Sequence, residues 1–216
     1  RGEVLGLVGG SGSGKSQTVF AIQGLLPAGG HLLDGSIRFD RTELSDLSER
    51  DYRAVRGANI AYIPQEPMSN LDPNFTIGFQ LTEPLRAVLH LSKAAARSKA
   101  LELLDRVGLP DPERTFASYP HQISGGMAQR VLIAGAISCE PELLLADEPT
   151  TALDVTVQAE ILDVLRSLQV DSDMAMILVT HDFGVVADIC DRVAVMQAGR
   201  IVESGEALAI FDNPGH

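Results

Sequence analysis

The sequence predicts an α/β fold: alternating strands and helices around a phosphate-binding loop, with a small antiparallel β layer and an inserted α-helical subdomain. A glycine-rich stretch at residues 9–16 links an apolar, strand-like run to a helical pattern. Further apolar runs that end in polar residues alternate with helical patterns. One block, residues 76–107, has helical periodicity throughout and separates two alternating stretches.

The composition is that of a folded protein with an acidic balance. The chain has 216 residues, 45% of them hydrophobic and 21% charged, so it can bury a core as one domain with a subdomain or as two small domains. Its formal net charge of −12 argues against broad contact with a nucleic-acid backbone, because such contact needs clustered Lys and Arg. We therefore expect no nucleic-acid partner.

Neither membrane insertion nor a disulfide framework is predicted. No apolar run approaches the roughly 20 residues that cross a bilayer, and no signal peptide opens the chain, so we expect docking if the protein works at a membrane. Cys139 and Cys190 are too few and too isolated for a disulfide framework or a four-thiolate metal site, which indicates a reducing cytosol. The chain opens on Arg1, and a strand begins almost at once, so we expect a fragment of a longer protein.

The phosphate-binding loop is predicted from the pattern GxxxxGK[ST] at residues 9–16. A strand at residues 4–8 precedes it, and a helix that ends near Gly24 follows it, as the pattern requires. Glycines at positions 9, 12 and 14 allow backbone angles that turn successive N–H groups toward phosphate. Lys15 would reach the β- and γ-phosphates, and the Ser16 hydroxyl would bind Mg²⁺. A flexible Gly/Ser turn is the alternative interpretation.

A small β layer and a second core strand follow the first helix. The pattern predicts a strand at residues 36–40, a short helix at residues 49–55 and a buried strand at residues 59–63. Gln65 stands where this last strand ends. A surface glutamine is the ordinary interpretation there, and a functional one depends on the later motifs.

The segment after Gln65 predicts an ordered loop and then helices. Prolines and turn-forming residues fill the loop at residues 65–73. The next helical pattern places four apolar residues along one face: Leu81, Leu85, Val88 and Leu89. A helical subdomain, rather than a linker, is therefore predicted.

A second possible anion site lies further along the chain. Ser124, Gly125 and Gly126 precede the helical pattern at residues 131–134 and predict a capped helix start with bare backbone amides. An ordinary N-cap after a turn would use the same residues.

A carboxylate pair ends the next buried strand, at residues 143–146. Asp147 can hold Mg²⁺ at the end of this strand, and Glu148 can orient or deprotonate water. Acidic pairs are usually solvated surface. Four preceding apolar residues and a phosphate-binding loop elsewhere in the chain favour a functional pair.

The last part of the chain predicts one more polar strand end. Asp154 is a predicted N-cap for a helix at residues 155–168. His181 follows a buried strand at residues 174–180, and that position favours a functional histidine over a structural one. The chain closes with a hairpin at residues 192–196 and 200–203 and a helix that includes residues 207–211.

In this order the motifs resemble those of the nucleotide-binding domain of ATP-binding cassette (ABC) transporters, over nearly the whole chain. They are the phosphate loop at 9–16, the Q-loop Gln65, the signature at 123–129, Walker B with Asp147 and Glu148, the D-loop at 152–154, and the switch His181. The resemblance implies an ABC ATPase domain at residues 1–216 that lacks its N-terminal strands and C-terminal tail. It implies a P-loop NTPase (RecA-like) core at residues 1–66 and 139–216 and a helical subdomain at residues 67–138.

The resemblance also implies roles for individual residues, with ATP and Mg²⁺ as ligands. Glu148 would polarise the attacking water, His181 would contact the γ-phosphate, and Gln65 would link Mg²⁺ or water to the helical block. Magnesium would be held by Ser16, Gln65 and Asp147. The residues implied to bind ATP are Gly9, Gly10, Ser11, Gly12, Ser13, Gly14, Lys15, Ser16, Gln17, Ser124, Gly125, Gly126 and Asp154.

The partners that the resemblance implies are a second ABC ATPase domain and membrane permease subunits. Two such domains would pair head to tail, as a homodimer or a heterodimer, with each ATP between one phosphate loop and the other chain's residues 124–126. Residues 65–73 and 146–158 look most like bacterial dipeptide and oligopeptide importers, a group that also takes in nickel. That likeness implies a peripheral subunit on the cytoplasmic face of the inner membrane. An extracytoplasmic solute-binding protein would be an indirect partner. Ala128 departs from the Arg that relatives commonly carry, which removes a possible charge contact.

The alternative function is a soluble ABC-type ATPase in DNA repair, chromosome organisation or translation. The interval between Gln65 and Ser124 is only about 60 residues without sustained heptads, too short for the coiled-coil arm of chromosome-organising relatives. A small-molecule kinase would leave residues 124–129 and His181 unexplained.

Overall fold

A computed structural model gives the fold and describes residues 2–151, 153–212 and 215. The strands in this part of the chain are β1 (Val4–Gly9), β2 (Arg38–Phe39), β3 (Thr42–Glu43), β4 (Ile60–Ile63), β5 (Leu143–Asp147), β6 (Ala175–Thr180), β7 (Arg192–Gln197) and β8 (Arg200–Glu206). The helices are α1 (Lys15–Gln23), α2 (Glu49–Val55), α3 (Ile77–Val88), α4 (Lys93–Arg106), α5 (Pro112–Ala117), α6 (Gly125–Ile137), α7 (Val155–Ser172), α8 (Phe183–Ile189) and α9 (Ala207–Asp212). None of these helices is both long enough and apolar enough to cross a lipid bilayer.

Six strands form one sheet in the order β4-β5-β6-β1-β7-β8, and β2 and β3 form a separate antiparallel pair. Neighbours in the large sheet are parallel except for the β7–β8 hairpin. Parallel strands need crossover connections, so helices cover the sheet and its central strands are apolar runs. The predicted α/β class, with its small antiparallel layer and inserted helices, is confirmed.

The register of the parallel strands places their carboxyl ends at one edge of the sheet. Ile63 of β4 pairs with Ala146 of β5, Ala146 pairs with Leu178 of β6, and Leu178 pairs with Gly6 of β1. The segments that leave these strands therefore begin side by side. They are the phosphate-binding loop, the loop that begins near Gln65, the carboxylate pair and the turn that contains His181.

The inserted block is built from α3 to α6, which lie between β4 and β5 in the chain. The block at residues 76–107 contains two helices, α3 and α4, and Ser92 caps α4 by accepting a hydrogen bond from the N–H of Ala95 (3.3 Å). Leu81 and Leu85 are buried as expected, whereas Val88 and Leu89, at the end of α3, are partly exposed. The domain boundaries near residues 66 and 138 stay a prediction.

Helix α6 begins at Gly125, directly after the predicted cap Ser124 and six residues before the periodic pattern at residues 131–134. The hydroxyl of Ser124 caps it by accepting a hydrogen bond from the N–H of Met127 (3.3 Å). Gly125 and Gly126 therefore lie inside the first turn rather than before it. The N–H groups of a first helical turn have no partner within the helix, so the predicted amides remain available.

Helix α7 is longer than predicted and ends at Ser172 rather than near residue 168. Leu165 and Leu168 are still buried in its last turns, and the hydroxyl of Ser172 donates to the carbonyl of Leu168 (2.6 Å). Polar contacts rather than core packing hold the added turn: Gln169 donates to the carbonyl of Gly2 (2.6 Å), and Asp171 pairs with Arg106 (3.3 Å).

The two cysteines are free thiols, as the sequence predicts. Burial raises the pKa of Cys190 to about 12, and the negative charge of Asp191 adds to the shift. Cys190 is therefore a structural group, packed against Gly6 of β1, and Cys139 is buried.

Candidate functional site

The loop between β1 and α1 is shaped by close contact with the β7–β8 hairpin. At Gly9 (φ 156°) a Cβ would lie 2.2 Å from the carbonyl oxygen of Met196, so no larger residue fits. The N–H of Gly199 donates to the carbonyl of Ser13 (3.0 Å). Gly14, with φ 104°, is the N-cap of α1. The hairpin thus braces the loop along its length.

Lys15 arches back across this loop. Its side chain is buried, and its ammonium donates to the carbonyls of Gly9 (2.9 Å) and Gly10 (3.2 Å). Gly12 has a left-handed conformation (φ 74°), a backbone angle that glycine allows. Residues 12–17 line a cavity of about 220 Å³. Backbone N–H groups at a helix N-terminus beside an ammonium suit a polyanion such as a triphosphate.

Asp147, at the end of β5, is a buried carboxylate of which 3% is exposed. The hydroxyls of Ser16 and Tyr62 donate hydrogen bonds to it, but its Oδ1 atom has no hydrogen-bond partner among the described residues. Burial raises the pKa of Asp147 above its ordinary value, the charge of Glu148 adds to the shift, and the Ser16 hydrogen bond opposes it. Burial also raises the pKa of Tyr62 to about 12, and the charge of Asp147 adds to that shift.

These oxygens fit a magnesium ion. A buried carboxylate oxygen without a partner, next to a serine hydroxyl, is the donor set that a hard cation prefers. Asp147 and Ser16 would hold the ion. The hydrogen bond that Gln65 makes runs through its amide nitrogen to Glu148, so its predicted role at the metal stays a prediction.

The carboxylate of Glu148 contacts the other two predicted catalytic residues, Gln65 and His181. Its Oε2 atom accepts hydrogen bonds from Nε2 of Gln65 (3.1 Å) and from the hydroxyl of Thr151 (2.8 Å). Its Oε1 atom lies 3.3 Å from Nδ1 of His181, whose side chain is 64% exposed. Three separate segments of the sheet edge therefore meet at one carboxylate, directly after Asp147.

The backbone of Glu148 is also unusual. Its φ of 48° is in the left-handed region, which costs a residue with a side chain about 1–3 kcal/mol. Its N–H donates to the carbonyl of Val179 on β6 (2.9 Å), and its carbonyl accepts from the N–H of Thr151 (3.1 Å). These bonds hold the strained residue and fix the direction of its carboxylate.

The signature residues are not joined to the phosphate loop within the chain. No hydrogen bond recorded between described residues links residues 124–126 to residues 9–16. Asp154 caps α7 by accepting from the N–H of Val157 (3.0 Å), and a Cβ on Gly126 would meet Val157 at 2.9 Å. Ala152, in the predicted D-loop, lies outside the described residues.

Sequence reasoning missed Tyr62, Thr151 and Gly199 as parts of this site. A phenol inside an otherwise apolar strand was a usable signal for Tyr62, whose strand neighbour Leu145 stands two residues before Asp147. Thr151 and Gly199 occupy ordinary turn positions, so only the folded chain assigns them.

The volume of the cavities alone would place the functional site elsewhere in the molecule. A larger cavity, about 610 Å³, lies at the opposite ends of β1 and β7, where Gly2, Cys190, Arg192 and Glu206 help to line it. It has neither the glycine-rich loop nor the carboxylate cluster. The candidate site is therefore assigned by its chemistry.

Comparison with known families matches residues 1–151 to the family described as ABC transporter. The dipeptide transport ATP-binding protein DppD of Escherichia coli (strain K12) is 48% identical over 216 residues, and the oligopeptide transport ATP-binding protein OppD of Bacillus subtilis (strain 168) is 50% identical over 217 residues. Both alignments cover the whole of this chain, but 66% of DppD and 61% of OppD. The chain thus spans somewhat less than two thirds of the length of these relatives.

Solved structures also resemble the chain. The ATP-binding cassette MJ0796, in a dimeric post-hydrolysis state bound to ADP and Pi, has a TM-score of 0.84 and 30% identity, with 95% of this chain and 86% of that chain covered. CbiO1 of Clostridium perfringens, part of the ABC transporter complex cbiONQ, has a TM-score of 0.82 and 30% identity, with 99% of this chain and 80% of that chain covered.

Replacement of Gly9 by alanine should disrupt the braced loop. The new Cβ would lie 2.2 Å from the Met196 carbonyl, so the loop or the hairpin must move. We expect the free energy of unfolding to fall by about 2 kcal/mol or more, as measured by urea denaturation. Gly12→Ala is the matched control, because nothing lies within 4 Å of its Cβ and only the strain of a positive φ, about 1 kcal/mol, applies. Equal losses in the two variants would show that contact with the hairpin does not shape the loop.

Proposed function

Because this chain belongs to the ABC transporter family, we propose that it binds and hydrolyses ATP to power the import of peptides, or of a related small solute, across the bacterial inner membrane. The observation that carries the proposal is the meeting of Gln65, Glu148 and His181 at the sheet edge that bears the phosphate-binding loop. Relatives named as dipeptide and oligopeptide transport ATP-binding proteins support the peptide substrate.

The phosphate-binding loop accounts for nucleotide binding. Its N–H groups and the ammonium of Lys15 offer positive charge to the triphosphate. A rotation of the Lys15 side chain would carry its ammonium from the carbonyls of Gly9 and Gly10 to the β- and γ-phosphates. When bound at Asp147 and Ser16, Mg²⁺ supplies positive charge that offsets the charge on the phosphate oxygens.

Glu148 accounts for hydrolysis. Bonds from Gln65 and Thr151 hold one oxygen of its carboxylate, and the other faces His181. A carboxylate held in this way accepts a proton from the attacking water as that water adds to the γ-phosphate. His181 donates a hydrogen bond to the γ-phosphate, so charge that develops there is stabilised by a group already in place.

A second copy, or a related ATPase domain, would complete the site. Residues 124–126 present the bare amides of the first turn of α6, and Asp154 stands at the exposed start of α7. Neither group is bonded to the phosphate loop of its own chain in the part that the structure describes. A partner related by head-to-tail pairing would receive them at its own nucleotide, and the dimeric state of MJ0796 supports this pairing.

A membrane permease subunit is the second proposed partner. Phe75 and Phe79 stack with ring centroids 4.5 Å apart and are 43% and 44% exposed, at the end of the loop that starts near Gln65. Tyr119 is also exposed. The N–H of Ile77 donates to the carbonyl of Ser118 (2.8 Å), which places Tyr119 beside the start of α3. We call Phe75, Phe79 and Tyr119 the aromatic patch. Exposed aromatic clusters are typical of protein interfaces.

The aromatic patch connects to catalysis through the loop that follows Gln65. The side chain of Gln80 on α3 donates to the carbonyls of Asp72 and Phe75 (3.0 Å each) and accepts from the N–H of Asp72 (2.8 Å). A permease segment that docks on the patch would therefore bear on the loop that holds Gln65. The protein would act as a peripheral subunit on the cytoplasmic face of the membrane, with a solute-binding protein upstream of the permease.

A soluble ABC-type ATPase for DNA repair or translation remains the alternative. The named relatives do not favour it. Copurification of the chain with ribosomes or DNA, rather than with membrane subunits, would support it against the importer.

Glu148→Gln should leave ATP binding nearly intact and lower the rate of hydrolysis about a hundredfold or more, because the amide keeps the shape but cannot accept the proton. Phosphate release measures the rate, and titration with ATP measures binding. Glu113→Gln on α5, which removes an exposed carboxylate paired with Arg97, is the control and should keep the parental rate. A parental rate in the Glu148 variant would exclude this residue as the base.

Lys15→Ala should weaken ATP binding by about tenfold or more, since a charge-assisted contact with phosphate is worth about 1.5–3 kcal/mol. Isothermal titration with ATP and Mg²⁺ gives the dissociation constants. The control is Lys99→Ala on α4, which removes an ammonium that pairs with Glu140 away from the loop. Equal affinity in the parental chain and the Lys15 variant, at equal thermal stability, would contradict the assignment of the loop.

Removal of Phe79 from the aromatic patch should release the chain from its permease without changing its own ATPase rate. Phe79→Ala deletes one ring of the stacked pair. We expect the amount of coexpressed permease that copurifies with the tagged variant to fall at least tenfold. Leu208→Ala, which shortens an exposed apolar side chain on α9, is the control. Undiminished copurification of Phe79→Ala would place the permease contact elsewhere.

A further inference from the structure

Two polar contacts tie helix α7 to helix α8. At one end, Nε2 of Gln158 donates to Oδ2 of Asp182 (3.2 Å). At the other end, Arg166 pairs with the carboxylate of Asp188 (2.7 Å) and donates to its carbonyl (2.9 Å). Between them lies an open groove of about 290 Å³. Leu162 and Val185, which line this groove, are buried in one core cluster, and the two polar contacts add to their packing on the exposed side of the helix pair.

The first tie acts on the turn that carries His181. Oδ1 of Asp182 caps α8 by accepting from the N–H groups of Gly184 (2.8 Å) and Val185 (3.3 Å), while its other carboxylate oxygen binds Gln158. The His181 side chain is mostly exposed and contacts Glu148 at 3.3 Å. Its position therefore depends on how firmly this turn is held.

Gln158 also belongs to the opening turn of α7. Its own N–H donates to the carbonyl of Asp154 (2.8 Å), the residue that caps this helix. Its side chain lines a cavity of about 160 Å³ together with Thr151 and His181. One side chain thus connects the exposed start of α7 to the turn beside the catalytic cluster.

We propose that Gln158 is a positioning residue that holds the His181 turn in register with the N-terminus of α7. Through this hydrogen bond, a partner that seats on the Asp154 end of α7 also places His181 beside Glu148. This inference rests on the proposed ATPase function and concerns the rate of the reaction, not the binding of nucleotide.

Gln158→Met tests the proposal, because methionine keeps the length of the side chain and removes the donor. We expect kcat to fall roughly three- to tenfold, because one partly exposed hydrogen bond to a carboxylate is lost. KM and the dissociation constant for ATP should stay within about twofold of the parental values. Gln158→Arg keeps a donor opposite Asp182 and should retain at least half of the parental kcat.

The matched control is Arg166→Met, which breaks the tie at the far end of the same helix pair. It should lower thermal stability at least as much as Gln158→Met does, because Arg166 makes more contacts, and leave kcat at the parental value. In an Asp182→Ala background, Gln158→Met should cause no further loss of kcat, because the acceptor is already gone.

Three results would overturn the inference while the proposed function stands. They are a parental kcat in Gln158→Met, an equal fall in Arg166→Met, or a loss of ATP affinity that accounts for the whole effect. A parental chain that hydrolyses no ATP would instead overturn the proposed function, and this inference with it.

Discussion

The parallel register of β1, β4, β5 and β6 is the constraint on which the site depends. Asp147 pairs with Val179, and Val8 pairs with Thr180, so the phosphate-binding loop, the carboxylate pair and the histidine turn leave the sheet side by side. A slip of one residue in any of these pairings would turn the side chains of that strand to the opposite face. Val8, Ala146 and Leu178 on these strands are fully buried, so a change of register would break their close packing, and the core thereby sets the geometry of the chemistry.

The site holds two features that a purely structural protein would avoid. Asp147 is a buried carboxylate with an oxygen that lacks a partner among the described residues, and Glu148 has a strained backbone. Unsatisfied buried charge and local strain both oppose folding. A fold retains such groups when a ligand uses them, and a cation next to Ser16 would satisfy the first. The strain at Glu148 persists because hydrogen bonds to β6 and to Thr151 enforce it.

Much of this fold and site was predictable because the signals were local. The glycines of the phosphate-binding loop, the polar residues at the strand ends and the bounds of α2 follow from composition and periodicity over short windows. The start of α6 was predictable from Ser124, which caps the helix as expected, although the glycines of the first turn carry no apolar periodicity. Val88 and Leu89 were assigned to a buried face that ends before them. Tyr62, Gly199 and Gln158 act through partners distant in the chain, so no local pattern reveals them.

The brace between the hairpin turn and the phosphate-binding loop has a consequence for biosynthesis. Met196 lies 187 positions after Gly9 and Gly199 lies 186 positions after Ser13, so the residues that confine this loop are made long after the loop itself. A nascent or truncated product that stops just past His181 would carry all six sequence motifs and still lack the support that shapes its first one. The ability to bind a nucleotide is therefore acquired only when β7 and β8 have joined the sheet.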